Sequence, residues 1–143
     1  MAKSTSTCNS ILNLMYRATA WANVADNASS SPFTNTYVSL HTGDPGTGNN
    51  QTTNETAYTN YARQSVARST GWDAASGGAT ANSSSISFPQ CGASGATLTY
   101  VAIGTTLASA GTVWHQGALN SSLAVSSGIT PQFAAGALTI TET

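Results

Sequence analysis

Charged residues are scarce in this sequence. They make up 6% of its 143 residues, against about 25% in ordinary soluble proteins, and the formal net charge is −1. Four lysines and arginines cannot form the basic patch that binds nucleic-acid phosphates, so no direct nucleic-acid partner is expected. A near-neutral surface of small polar residues repels other copies only weakly, which favours a protein that works packed against other subunits. The alternative is a secreted polar β-protein that tolerates few charges.

Cysteines and long apolar segments are also scarce. Cys8 and Cys91 are widely separated and match neither a disulfide framework nor a metal-binding spacing, so free thiols are predicted. No apolar run approaches the roughly 20 residues that cross a bilayer, and the N-terminus lacks the apolar core of a signal peptide. The sequence therefore predicts no membrane partner and synthesis in the cytoplasm.

Motifs for catalysis, cofactors and metals are missing. There is no Gly-x-Ser-x-Gly elbow, phosphate-binding loop or zinc-ligand spacing. His41 and His115 are the only histidines. His41 and Asp44 could form a catalytic pair only if the turn folded Asp44 back onto the imidazole, and the sequence offers no evident nucleophile for such a pair. We therefore predict a non-enzymatic protein with no catalytic residue, cofactor or metal, in which both histidines are hydrogen-bonded strand residues. An enzyme is the remote alternative.

One amphipathic helix is predicted over residues 8–23. Apolar residues recur there at spacings of three and four, which is the helical pattern; they are Ile11, Leu14, Met15, Ala18, Trp21 and Ala22. The helix is expected to cover its own domain, with docking on a partner as the alternative. Residues 1–7 form a polar arm that is predicted to be flexible, and Lys3 in this arm is a candidate partner contact.

The remainder of the chain predicts a β-rich structure. Tyr37–Gly46 is the expected first strand, along which alternation places Tyr37, Ser39 and His41 on one face. Residues 61–69 alternate weakly, and residues 76–84 are small and polar with a turn at Gly77 and Gly78. Further short strands are predicted within residues 84–89, 96–105, 111–119, 122–126 and 129–141. This spacing leaves no room for crossover helices, so the pairing is expected to be antiparallel, in a sandwich or barrel. Residues 8–143 are predicted to form one domain.

A turn at Asp44, Pro45 and Gly46 is predicted to end the first strand. Proline restricts φ, glycine accepts a positive φ, and an aspartate side chain bonds to nearby backbone. Asp44 is expected either to cap this turn or to pair with Arg63 through charge-assisted hydrogen bonds. Asp44, Pro45, Gly46 and Arg63 are therefore the predicted structural base of the loop that follows.

That loop, Thr47–Thr59, is polar and lacks apolar periodicity, which is typical of a functional or mobile segment. Tyr58 and Tyr61 at its end are candidate partner contacts, because an exposed tyrosine offers a large contact area at a small entropic cost. Packing within the sheet is the alternative interpretation of both tyrosines. Trp72 is the remaining aromatic candidate for a partner contact.

Six short motifs follow the N-terminal helix in a fixed order. They are VSLHTGDPG at residues 38–46, YARQ at 61–64, ISFP at 86–89, VAIG at 101–104, WHQGAL at 114–119 and FAAGALTI at 133–140. Together with the helix, this ordered set resembles a family of small tailed-phage virion proteins, whose members are often labelled tail-fibre proteins. The resemblance extends from about residue 11 to residue 141.

The resemblance implies a structural role in a phage particle made in the cytoplasm of a bacterial host. Within the family, the chain is most similar to capsid cement, or decoration, proteins. This similarity implies a jelly-roll fold, binding to the major capsid protein on the outer surface of the capsid, and stabilisation of the head beside symmetric neighbours or as a homo-oligomer. Two alternatives are a tail or tail-fibre component and a jelly-roll carbohydrate-binding module that uses Tyr58, Tyr61 and Trp72 as a sugar platform.

Overall fold

The computed structural model describes residues 5–21, 33–46 and 50–142. The helix and strands are α1 (Thr5–Arg17), β1 (Asn35–His41), β2 (Gln64–Ala67), β3 (Ala79–Ala81), β4 (Ile86–Ser87), β5 (Ala96–Gly104), β6 (Val113–Val125), β7 (Gln132–Phe133) and β8 (Thr139–Thr141). The predicted class is confirmed, since the fold is mainly β with antiparallel sheets and one N-terminal helix. None of the helical residues described here forms a segment long and apolar enough to cross a membrane.

The chain divides into two compact units, each assembled from segments that are distant in sequence. The first, the helix unit, contains Met1–Asn35, Val66–Ile86 and Phe133–Thr143. The second, the sheet unit, contains Thr36–Ser65 and Ser87–Gln132. A single domain over residues 8–143 stays a prediction.

Helix α1 begins and ends earlier than predicted, at Thr5 and Arg17 instead of residues 8 and 23. Residues 5–7, assigned to a flexible arm, belong to its first turn, whereas Lys3 lies outside the described residues. The helix ends because Ala18 adopts a left-handed conformation, with φ of 54°, which does not continue a helix. Trp21 forms an isolated bridge, and Ala22 is outside the described part of the chain.

The C-terminal end of α1 is capped by a side chain from far along the sequence. The guanidinium of Arg68 donates hydrogen bonds to the carbonyl oxygens of Leu14 and Met15 and, at 2.5 Å, to that of Phe33. A cation is favourable at this end of a helix, where the backbone dipole places partial negative charge. Burial nevertheless lowers the pKa of Arg68, because it removes the charge from water.

The core of the helix unit contains one face of α1 and a buried tryptophan. Cys8, Leu12 and Tyr16 follow each other at intervals of four residues and are buried. The ring of Trp72 meets that of Tyr16 edge to face, with 4.8 Å between ring centroids. Asn82 is also fully buried, and its amide bonds to backbone groups of three residues, which are Ser84, Ala134 and Leu138.

The largest sheet is antiparallel and has the strand order β2-β1-β5-β6. Strands β5 and β6 and nearly all of β1 belong to the sheet unit. Ser39 of β1 lies opposite Ala102 of β5, and Ala102 lies opposite Gln116 of β6. Strand β6 joins two segments that were predicted as separate strands. An irregularity divides it, because residues 119–122 lie opposite the single residue Thr99. The two smaller sheets are β3-β8 and β4-β7.

Candidate functional site

The turn after β1 forms as predicted. The carboxylate oxygen Oδ1 of Asp44 accepts a hydrogen bond of 2.7 Å from the backbone N–H of Gly46, whose φ is 72°. The side-chain amide of Asn54 donates to the Asp44 carbonyl oxygen at 2.8 Å. The capping role of Asp44 is therefore confirmed, and the turn is bonded to Asn54 of the following loop.

The alternative pairing of Asp44 with Arg63 is wrong, because Arg63 binds Glu55. Its Nε and Nη2 atoms each lie 2.7 Å from a different oxygen of the Glu55 carboxylate. The two side chains are 3% and 14% exposed. The hydrogen bond to Glu55 raises the pKa of Arg63. Glu55 reaches this position because it forms a β-bridge with His41 at the end of β1.

The loop predicted to be functional or mobile is fastened to the sheet through a buried glutamine. Gln51 is fully buried, and its backbone N–H donates to the Ala110 carbonyl oxygen at 2.6 Å. Its side-chain amide donates to the Tyr37 carbonyl oxygen at 3.2 Å and accepts from the Thr106 N–H at 3.2 Å. Arg63 donates to the Thr106 carbonyl oxygen at 2.9 Å. The loops before β2 and before β6 are thus joined by the same buried groups; residues 47–49 lie outside the described part.

His41 completes this group, which we call the buried polar cluster and define as Ser39, His41, Gln51, Glu55 and Arg63. The Nδ1 atom of His41 lies 2.9 Å from the carbonyl oxygen of Thr53 and Nε2 lies 2.9 Å from Ser39 Oγ. A carbonyl oxygen only accepts, so Nδ1 carries a proton. Burial lowers the pKa of His41 and so favours the neutral ring, in which Nε2 accepts from the Ser39 hydroxyl.

A serine hydroxyl bonded to a histidine is also the geometry of a nucleophile and its general base. Here, however, both Ser39 and His41 are 0% exposed, and a backbone carbonyl takes the place of an orienting carboxylate. A substrate cannot reach Ser39 Oγ in this folded state. The geometry supports the structural interpretation of His41, and the absence of enzymatic activity stays a prediction. Within the described ranges, no three His, Cys, Asp or Glu side chains are grouped to hold a metal ion.

Protonation of His41 is expected to destabilise the protein. Its pKa in the folded state is lower than the unfolded value of about 6.5, so folding favours the neutral ring. This stabilisation is complete above about pH 6.5 and declines at lower pH by at most about 1.4 kcal/mol per pH unit. Thermal unfolding between about pH 7.5 and pH 5.5 measures the decline. His41→Gln should be less stable at neutral pH and show a shallower decline, whereas an equal slope in both proteins would contradict this role.

Gly104 allows Gln51 to enter the cluster. A Cβ atom at this position would overlap the Gln51 carboxamide and lie 2.5 Å from the Thr112 carbonyl oxygen. We expect Gly104→Ala to lower the free energy of unfolding by about 1–3 kcal/mol, the usual cost of overpacking. Gly117→Ala is the matched control on β6, since a Cβ there meets nothing within 4 Å. Urea denaturation of both variants tests the contact, and equal losses of stability would refute it.

The aromatic residues proposed as partner contacts are largely internal. Trp72 is fully buried in the helix unit, and Tyr58 is buried in the sheet unit. The Tyr58 hydroxyl donates to the Pro89 carbonyl oxygen at 2.9 Å, and burial raises its pKa to about 12. Tyr61 is half-buried; its hydroxyl donates to Glu55 at 2.8 Å and accepts from the Leu40 N–H at 3.1 Å. The predicted contact roles of Tyr58 and Trp72, and a surface sugar platform made from them, are therefore wrong, because packing takes these rings out of solvent.

The main exposed feature is strand β6, which the sequence-based interpretation did not single out. All its residues except Val125 are exposed or half-exposed, on both faces of the strand. It contains no charged residue, and neither does the whole stretch of residues 74–141. That uncharged run was the available signal in the sequence. The uncharged run does not indicate which strand lies at an edge of the sheet, because that depends on which strands pair.

A family model described as podophage GP4 fiber I protein gp80 matches residues 2–141 of the chain. The match includes nearly all of the sequence, with segments of both the helix unit and the sheet unit. No curated protein matches the chain.

Proposed function

Because this chain belongs to the family described as podophage GP4 fiber I protein gp80, we propose that it is a structural subunit of a phage tail fibre. The chain is a phage structural protein. The observation that carries the finer proposal is the match over residues 2–141, since it is not limited to a single motif or segment. Among the interpretations of the resemblance, the tail-fibre alternative agrees with the description of the matched family better than capsid cement does.

The structure supports a role in packing against other subunits. The buried polar cluster holds two loops of the sheet unit through hydrogen bonds to Gln51 and Arg63, so the surface around them is preorganised for contact. The surface carries few charges, and contacts made by uncharged groups are insensitive to the salt that screens ion pairs. Both properties suit a particle that must stay assembled outside its host.

The competing proposal is a cement protein bound to the major capsid protein on the outside of the head. It shares the structural role and the low surface charge, and many modest contacts acting together would stabilise the shell. Among the described residues, no contact surface favours a capsid lattice over a fibre. The two proposals differ in location and in copy number.

The proposal is tested on the phage particle that carries this chain. Quantitative mass spectrometry gives its number of copies relative to the major capsid protein, and cryo-electron microscopy of particles with a tagged chain gives its position. A fibre subunit is expected at a small ratio, a multiple of the tail symmetry, with tag density on the appendages. A ratio near one to the major capsid protein, with tag density over the head, would replace the fibre assignment by the cement assignment. Heads separated from tails serve as the control fraction.

A further inference from the structure

Strand β6 lies at one edge of the four-stranded sheet, and no further strand of the described residues pairs with it. In the order β2-β1-β5-β6, it is the outermost strand, and its partner within the described sheet is β5. Strand β6 spans Val113–Val125, a length of roughly 40 Å at about 3.3 Å per residue. Every second residue of an edge strand directs its backbone N–H and C=O away from the sheet, where they bond to water or to another strand.

Of the devices that usually protect such an edge, β6 has bulges but not charge, proline or shortness. Natural edge strands are kept apart by lysines and other charges, by proline, by shortness or by bulges. Strand β6 has thirteen residues and contains no proline and no charged residue. Two irregularities interrupt it, since Trp114 is an extra residue between the paired Val113 and His115, and residues 119–122 lie opposite Thr99 alone. Between them, His115 to Ala118 pair in regular register with β5 and are half-exposed or exposed.

The absence of charge indicates what kind of strand can pair there. When a strand pairs with its own copy about a two-fold axis, each residue faces a residue of the same segment, so a charged side chain near the axis meets a like charge. Strand β6 has none. In the whole sheet unit the charged residues are Asp44, Glu55 and Arg63, and Glu55 and Arg63 already neutralise each other. Two copies of this unit therefore approach each other edge to edge almost without electrostatic repulsion.

We propose that residues 113–118 of β6 pair antiparallel with the same residues of a second copy. This pairing joins two four-stranded sheets across a two-fold axis, and the half-exposed side chains of Trp114 and Gln116 become covered by the partner strand. This pairing can form whether the subunits stand in a fibre or on a head. It is tested on the purified chain, so its failure would leave the location assignment untouched.

The first test is a cysteine scan from Val113 to Ala118, one substitution at a time. The native Cys8 and Cys91 are buried, so the chain without an added cysteine gives the background level of crosslinking. Disulfide formation needs Cβ atoms about 4 Å apart, so only the positions nearest the two-fold axis are expected to crosslink under mild oxidation. Ala108→Cys, in the exposed loop before β6, is the control. Crosslinking along β6 that does not exceed the Ala108→Cys level would overturn the proposal.

The second test adds one charge at the edge. Ala118→Lys and Ala108→Lys place the same side chain at exposed positions, one on β6 and one off it. Sedimentation equilibrium of the native chain should reveal a dimer or a larger assembly that contains it, and Ala118→Lys should raise the dissociation constant at least about tenfold while Ala108→Lys leaves it unchanged. A monomeric native chain at high concentration, or equal effects of the two lysines, would overturn the pairing. Circular dichroism checks that Ala118→Lys is folded. If this variant does not fold, the cysteine scan decides whether the two β6 strands pair.

Discussion

Glu55→Gln is expected to lower the free energy of unfolding by about 3–5 kcal/mol, the effect of leaving a buried charge without its partner. The Arg63 side chain is 3% exposed and bonds to both Glu55 carboxylate oxygens. A glutamine of the same shape keeps one acceptor oxygen but replaces the other by an NH2 donor that faces the guanidinium, and it removes the compensating charge. Urea denaturation of the purified chain measures the loss.

Two further variants separate the buried charge from a general effect of removing an acid. Asp44→Asn removes an exposed carboxylate but keeps the oxygen that accepts from the Gly46 N–H, so its effect should stay within about 0.5 kcal/mol. The double variant Glu55→Gln/Arg63→Met removes both charges and should be more stable than Glu55→Gln alone, because an apolar side chain needs no counterion. If Asp44→Asn costs as much as Glu55→Gln, or the double variant is the least stable, the ion pair does not have this role.

Trp72→Ala is expected to destabilise the protein by about 3–5 kcal/mol, as truncation of a large core aromatic does. Trp72 is 0% exposed, and its ring packs edge to face on Tyr16 of α1. Its carbonyl oxygen also accepts a 2.7 Å hydrogen bond from Arg17. The truncation therefore leaves a cavity beneath the helix, and the thermal unfolding temperature should fall accordingly.

Leu107→Ala is the control for this truncation, because Leu107 is 56% exposed and its loss should change stability by no more than about 0.5 kcal/mol. The comparison also distinguishes the core role of Trp72 from a surface role. Unchanged stability of Trp72→Ala together with weaker assembly into particles would contradict the buried position and restore Trp72 as a partner contact.

The family and the fold class could be predicted from the sequence because both depend on the order of motifs and on local residue patterns. Membership of a phage virion family was predicted from six motifs in order, and the family match supports it at that level. Alternating side chains and regularly spaced glycines predicted an antiparallel, mainly β chain, which is confirmed. The Asp44 cap was predictable because the carboxylate and the Gly46 N–H are two residues apart.

The C-terminal end of helix α1 could not be predicted in the same way. The apolar pattern continued to Trp21 and Ala22 and therefore predicted a helix to residue 23. The helix ends at Arg17, where Ala18 changes conformation and Arg68, more than fifty residues away, satisfies the last carbonyl groups. The residues next to the helix in the sequence do not reveal that cap, because Arg68 is not among them.

The sequence by itself determined how little charge this protein has, that it is built of short strands, where its first turn lies and to which kind of protein it is related. These properties follow from composition, local backbone preference and residue order. Only the tertiary structure decided that Arg63 pairs with Glu55 and not Asp44, that Trp72 and Tyr58 are buried, and that β6 is an edge strand of the four-stranded sheet. Each of these outcomes depends on which strands pair and which faces pack, and those contacts join residues that the linear chain keeps far apart.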